Sequence, residues 1–287
     1  MSLLRSAPTL AIDLGGTSTR IGIFSAADDM PDITMLAHFP TSPNYNEELA
    51  RITSIVEQAP HHAGIGVSFG GRITRDGTHI AVARNLPTYE RKPLKHDLAA
   101  ISGGPVRLAH DPICGLLAEK RYGALVSVER CAFLTISTGT GGALQLGKED
   151  LSLTISIEFS HQIVPGNERP CICGQTGCIE MYTGGKQLAR IHGRPLEEIT
   201  DDRVWAELER SLALGLVNLT HLTRVESVAL GGAIALNNLN LVPNVQRKVN
   251  ELIRHADLQV KRAQLGEQAP LVGAGLLLST PESWILH

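Results

Sequence analysis

The chain has 287 residues, 43% hydrophobic and 19% charged, with 26 basic against 29 acidic side chains for a net charge of −3. That apolar share excludes global disorder, and the near-neutral balance gives no electrostatic footprint for nucleic acid or for membrane phosphates. No apolar run reaches the roughly 18–20 residues of a membrane span, and the opening residues lack the long apolar stretch of a secretory signal. The length predicts one large or two modest domains. Five cysteines, an odd number, cannot all pair within one chain, which points to a reducing cytoplasm.

In chain order, residues 9–13 form a short apolar run ending in an acid. The turn Leu14-Gly15-Gly16-Thr17-Ser18-Thr19 follows, and residues 20–24 return as a strand. A helix is expected over 47–58, with Leu49, Ile52, Ile55 and Val56 on one face. A buried strand over 63–68 runs into Gly70-Gly71-Arg72, and another over 105–109 ends in His110-Asp111. Pro112 suits the first turn of the next helix, where its missing N–H costs nothing.

The second half begins in the same way. Residues 131–136 form a buried strand, Ser137-Thr138-Gly139-Thr140-Gly141-Gly142 a second Gly/Thr turn, and 143–146 the returning strand. Val204, Leu208, Leu212, Leu216, Leu219 and Leu222 recur at helical spacing. Residues 227–230 form a strand that enters Gly231-Gly232-Ala233. Val245, Val249, Leu252 and Ile253 mark another helix, and Gly273-Ala274-Gly275-Leu276 is expected to open a last one. The repeat of strand, Gly/Thr turn and strand predicts two similar α/β domains with a cleft between them. Their expected extents are 1–112, completed by 272–287, and 113–271.

Each turn suits a phosphate. Glycine lets backbone N–H groups approach closely, and threonine adds hydroxyl donors. Gly15, Gly16, Thr17 and Ser18 supply these groups in the first half, and Thr138, Gly139, Thr140 and Gly141 in the second. Taken singly, such a turn is more often an ordinary hairpin. Asp13 is either the acid that holds magnesium through water or a turn-capping acid. Asp111 is either a general base or the N-cap of the helix at Pro112. The nucleotide loop G-x-x-x-x-G-K-[ST] and the fingerprint G-x-G-x-x-G at a strand-to-helix turn are both absent.

Ala11-Ile12-Asp13-Leu14-Gly15-Gly16-Thr17 and Ile136-Ser137-Thr138-Gly139-Thr140-Gly141-Gly142 resemble the two phosphate motifs of the ROK family of sugar kinases and sugar-responsive repressors. Cys171-Ile172-Cys173-Gly174-Gln175-Thr176-Gly177-Cys178-Ile179-Glu180 resembles that family's zinc loop, with His161 at the position of its zinc histidine. The resemblance spans residues 9 to about 278. It implies an α/β fold of two domains of the actin-like ATPase type, shared with hexokinase and actin. It also implies a cytoplasmic, usually dimeric kinase that moves the γ-phosphate of ATP, with Mg2+, to a hexose or N-acetylhexosamine.

Residue by residue, the resemblance makes Asp111 the catalytic base. Gly71, Arg72, Asn85, His110, Glu158, His161 and Glu180 become sugar contacts, and Gly232 part of an adenosine turn. His161, Cys171, Cys173 and Cys178 form a closed Cys3His set suited to a structural zinc, the alternative being three buried or redox cysteines. Zinc removal is expected to weaken sugar binding and to change nucleotide affinity much less. The chain departs from the family pattern at Ser18, usually lysine, at His110, usually asparagine, and at Ser160, usually glycine. Arg20 is either a substitute positive charge or a solvated residue. A repressor would carry a further N-terminal helix-turn-helix, for which a first strand at residue 9 leaves no room. A sugar-sensing regulator and a kinase-like protein without activity are the alternatives to a kinase.

Overall fold

Strand β1, Thr9–Leu14, is buried at all six positions because helices cover both of its faces. The computed structural model describes residues 7–147 and 152–286, and its contacts divide the chain into two units. One runs to Ala118 and resumes at Gln268; the other is Glu119–Glu267.

In the first unit β1 is followed by β2 (Ser18–Ser25), β3 (Asp32–Pro40), α1 (Tyr45–Gln58), β4 (Ile65–Phe69), β5 (Arg72–Ile73), β6 (Ile80–Val82), α2 (Leu94–Ser102) and β7 (Val106–His110). Helix α3 (Asp111–Tyr122) then leads into the second unit. The sheet order is β3-β2-β1-β4-β7; the first three strands are antiparallel, and β4 and β7 run parallel to β1. Leu10, Ile12 and Leu14 pack with Ile52 and Val56 of α1 and with Leu94 and Leu98 of α2. This alternation places Ala11 and Asp13 on the opposite face.

The second unit contains β8 (Cys131–Ile136), β9 (Thr140–Leu146), β10 (Leu153–Ile157), α4 (Glu180–Thr183), α5 (Gly185–His192), α6 (Asp202–Thr223), β11 (Ser227–Gly231), α7 (Ala233–Asn237), α8 (Leu241–Leu252) and β12 (Gln259–Arg262). Its strands run in the order β12-β11-β8-β9-β10. Strands β8, β9 and β10 are antiparallel, and β11 runs parallel to β8 and β12. Each unit therefore has its first strand in the middle, two antiparallel neighbours on one side and two parallel ones on the other. The Gly/Thr turn sits between the first two strands in both.

Helix α9 (Ala269–Leu276) returns to the first unit and packs on β1, β2 and β4. Gly273-Ala274-Gly275-Leu276 ends this helix rather than opening it; Pro270 near its start supplies the preset φ of a first turn. Strand β3 and helix α2 carry too little periodic signal to be read from sequence. β3 is an edge strand with scattered exposure, and the apolar face of α2 rests on Leu94 and Leu98. Among the described residues no helix is long and apolar enough to cross a membrane.

Gly66 of β4 is where α9 touches the sheet. A Cβ added there would lie 1.9 Å from the Ala274 carbonyl oxygen, and backbone cannot swing aside as a side chain does. Gly66→Ala is expected to destabilise the protein by about 1–3 kcal/mol, read as a lower urea midpoint at unchanged slope. An unchanged midpoint would mean that α9 shifts freely on the sheet.

Candidate functional site

The first Gly/Thr turn joins β1 to β2 and is closed by the Gly15 N–H donating to Ser18 O at 3.1 Å. Gly16 and Thr17 are exposed at its tip, while Gly15 and Ser18 are half-buried. Asn85 lies directly against this tip: a Cβ on Gly16 would be 2.9 Å from that of Asn85. Gly70 lies beside the turn, its N–H donating to Leu14 O at 3.0 Å. Gly71 is fixed as glycine by Val82 O, 2.4 Å from its would-be Cβ, and Arg72 after it is exposed.

The turn is held from behind by residues that sequence reasoning missed. Thr41 donates its hydroxyl to Gly15 O at 2.8 Å and its N–H to Thr17 O at 3.1 Å. Thr41 and Thr19 hydroxyls meet at 2.9 Å, and Thr19 donates to Glu48, which also accepts the Ser42 N–H at 2.8 Å. Glu48 is 1% exposed. On a helix it reads as one more polar residue, and nothing in its local pattern tells that it is buried.

Asp13 is buried and bound by Arg20, whose Nη2 and Nε donate to Oδ2 at 2.7 and 3.2 Å. The two are register partners across β1 and β2, so Arg20 is a partner of the candidate magnesium acid, not a solvated charge. Burial pushes the Asp13 carboxyl up, and Arg20 pulls it back. Asp111 begins α3 at the end of β7, and His110 Nε2 lies 3.2 Å from its Oδ1. Burial, and then the negative charge of Asp13, push the Asp111 carboxyl up to about 7. A carboxylate tuned to that range suits a proton acceptor at neutral pH.

In the second unit the turn closes with the Ser137 N–H donating to Gly139 O at 2.9 Å. Thr138 is exposed at its tip and Gly139 is half-buried. Thr140 and Gly141 belong to β9, Gly141 opposite Thr135. The Thr140 N–H donates to Glu180 Oε2 at 3.0 Å and its hydroxyl meets that of Thr183 at 2.8 Å, contacts that hold the turn in place. Glu180, expected to be a sugar contact, therefore also carries this turn. Gly232 has φ 82° and lies against the end of β8, its would-be Cβ 2.5 Å from Ile136 O.

His161, Cys171, Cys173 and Cys178 converge, with all four ligand atoms within 4.8 Å of one another. Cys173 and Cys178 sulfurs are 3.6 Å apart, and Cys171 Sγ is 3.8 Å from His161 Nδ1. A tetrahedral ion with Zn–S bonds of about 2.3 Å needs edges of roughly that length. Gly174 and Gly177, with φ of 93° and 90°, make the turns that bring the sulfurs together. Burial and the neighbouring sulfurs push the Cys178 thiol up to about 12, a crowding that a divalent cation relieves. His161 Nε2, on the other side of the ring, lies 3.8 Å from Glu158 Oε2. Phe159 and Ser160, between them, are buried.

The sequence profile of the ROK family matches residues 9–280. An N-acetyl-D-glucosamine kinase of Salmonella newport is 28% identical over 92% of this chain and 97% of its own length. A ROK hexokinase structure from Thermus thermophilus superposes with a TM-score of 0.76 at 25% identity, covering 94% of this chain and 97% of that one. A ROK family glucokinase from Streptomyces griseus, in complex with glucose and AMPPNP, gives 0.78 at 22% identity over 94% and 98%. The fold is the two-domain actin-like ATPase fold of such proteins.

The raised Asp111 carboxyl has a stability consequence. The folded chain keeps this proton up to about pH 7, whereas an unfolded aspartate releases it near the ordinary value of about 3.9. The folded state binds more protons across that window, so stability falls as pH rises through it. Asp111→Asn removes the loss. Without magnesium, it is expected to melt a few degrees above the parent at pH 8, with the difference shrinking toward pH 4. Equal melting at pH 8 would argue against a strained carboxylate.

Proposed function

This chain belongs to the ROK family, and from that premise we propose that it is an ATP-dependent sugar kinase. It moves the γ-phosphate of ATP to a hydroxyl of a hexose or N-acetylhexosamine. The observation that carries the reading is Asp111. It stands at the end of β7 with His110 against Oδ1 and a carboxyl pushed up to about 7, in the unit that also carries the Gly15–Gly16–Thr17 turn.

In this reading Asp111 accepts the proton of the sugar hydroxyl, the hydroxyl oxygen attacks the γ-phosphorus in line, and ADP leaves. Thr17, Ser18 and the N–H of Gly16 orient phosphate on one unit, with Gly15 closing the turn behind them; Thr138 and Gly139 do so on the other, and Gly232 lies beside the adenosine. Asp13 would hold magnesium through water. When bound, that ion neutralises charge developing on the phosphates. Both Arg20 contacts fall on Oδ2 of Asp13, so the guanidinium fixes the carboxylate while leaving it a shared ligand. Gly71, Arg72, Asn85, His110, Glu158, His161 and Glu180 are the candidate sugar contacts. The relatives that support an amino-sugar or hexose substrate are themselves such kinases.

His161 Nδ1, Cys171, Cys173 and Cys178 fit a structural zinc. Four protein ligands leave no open position, so the ion would fix the loop and activate nothing. The family resemblance further supports a cytoplasmic homodimer.

A coupled assay for ADP over a panel of hexoses and N-acetylhexosamines tests the activity. Asp111→Asn is expected to lower kcat by about 10²–10⁴-fold while sugar binding stays measurable by calorimetry. ADP release on no sugar would leave a sugar-sensing or inactive kinase-like protein. Retention of most of kcat in the variant would remove Asp111 as base. Metal analysis of protein never exposed to chelator should find one zinc per chain; less than half an equivalent would overturn the site.

A further inference from the structure

The segment that follows the metal loop is bonded to the second glycine turn at four points. The Thr140 N–H donates to Glu180 Oε2 at 3.0 Å, and the hydroxyls of Thr140 and Thr183 meet at 2.8 Å. The Gly185 N–H donates to Ser137 O at 2.8 Å, and the Lys186 N–H to Thr138 O at 2.9 Å. A trans peptide points its C=O and N–H in opposite directions. Anchoring the carbonyls of Ser137 and Thr138 to the start of α5 therefore turns the N–H groups of Thr138 and Gly139 away from that helix, the pose in which they face an incoming phosphate oxygen.

The same segment is fastened to the metal ligands at its other end. Glu180 lies two residues after Cys178, and the Met181 N–H donates to Cys178 O at 3.2 Å. Ile179 bridges back to the His161 side through its N–H on Gln162 O at 3.0 Å, and Ile163 pairs with Cys178. There is little slack between the two ends. Ile179 and Thr183 are fully buried, Met181 is 2% exposed and Glu180 7%. Glu180 Oε1 lies 3.2 and 2.4 Å from the would-be Cβ atoms of Gly139 and Gly184, so it is packed against both the turn and the start of α5.

We propose that the metal loop braces the nucleotide-phosphate turn, with Glu180 and Thr183 as the positioning residues that transmit it. The inference rests on the reading in which that turn receives ATP phosphate. It revises the expectation that zinc matters for sugar and little for nucleotide. Because the metal site and the turn share one ordered segment, each ligand strengthens the other by the same factor.

The test uses full-length zinc-loaded protein and AMPPNP with magnesium, followed by calorimetry. Thr183→Val keeps the shape and loses the hydroxyl; Thr183→Ser keeps the hydroxyl. Loss of one such contact is expected to weaken AMPPNP binding about 2–10-fold in Thr183→Val, with Thr183→Ser close to the parent and sugar affinity unchanged in both. Protein stripped of zinc by chelator and still folded by circular dichroism should bind AMPPNP at least as weakly as Thr183→Val. AMPPNP should in turn slow the transfer of zinc to a coloured chelator. Parent-like AMPPNP binding by Thr183→Val overturns the brace, and so does parent-like binding by folded, zinc-free protein. If the zinc-free protein unfolds, the Thr183 pair decides alone. Failure of the parent itself to bind AMPPNP would instead overturn the nucleotide reading, and the brace with it.

Discussion

A backbone N–H can hold phosphate only if its peptide plane is already fixed, and the rest of this structure is arranged around that requirement. Glycine turns have little rigidity of their own, since glycine loses more freedom on ordering than any other residue. Each unit therefore puts a buried glutamate behind its turn. In the first, Glu48 acts through Thr19 and Thr41 on Gly15 O, with the Thr41 N–H on Thr17 O. In the second, Glu180 accepts the Thr140 N–H directly. Burying a carboxylate is costly unless its oxygens are bonded, and both meet donors from the chain they hold. The glutamates and the turns thus stabilise each other.

The electrostatics of the first unit follow from placing two acids on one surface. Asp13 lies toward the end of β1 and Asp111 follows β7, with β4 between those strands, and the charge of Asp13 raises the cost of charging Asp111. Arg20 offsets this at Asp13, through two donors on one oxygen. Asp111 has the imidazole of His110 beside it, at 3.2 Å. The asymmetry fits the proposed roles. Asp13 lies against a cation, while Asp111, its carboxyl pushed up to about 7, stays near the point of gaining or losing a proton, as the proposed base would.

What could be read from sequence was what local pattern encodes. Strand β8 appears at its observed bounds because a short run, apolar except for Thr135 and bounded by Glu129-Arg130 and a Gly/Thr turn, fits a strand buried on both faces. The convergence of the four candidate metal ligands was legible because coordination chemistry restricts residue type and spacing together, and the two glycines beside them have the positive φ that such a turn needs. The bonds behind the turns were not legible. Thr19 and Glu48 are 29 positions apart, and Thr140 and Glu180 are 40 apart. Such pairs are set by how helices land on sheets, which no local spacing records. For the same reason the bond from Thr140 to Glu180 could not be foreseen: a threonine in a glycine turn has the same local sequence whatever stands behind it.

The two units share one sheet order yet support their turns by different means, and the difference fits a metal proposed in only one of them. Behind the first turn stands α1, a helix of 14 residues whose Tyr45, Ile52 and Val56 join the core of that unit and so place Glu48 against its donors Thr19 and Ser42. Behind the second stands α4, a four-residue helix that follows a loop of turns and isolated bridges. A helix that short has no cooperative stability of its own. Its Met181 and Tyr182 join Cys171 and Cys178, two of the candidate metal ligands, in a small apolar cluster, while Ile179 before it reaches the main core of the unit. Where hydrophobic area is too small to order a segment, a bound ion contributes the folding free energy that a core would otherwise supply. A zinc held here would take the part that Ile52 and Val56 play behind the first turn. On the proposed brace, the cysteines would then serve nucleotide binding without any of them touching the nucleotide.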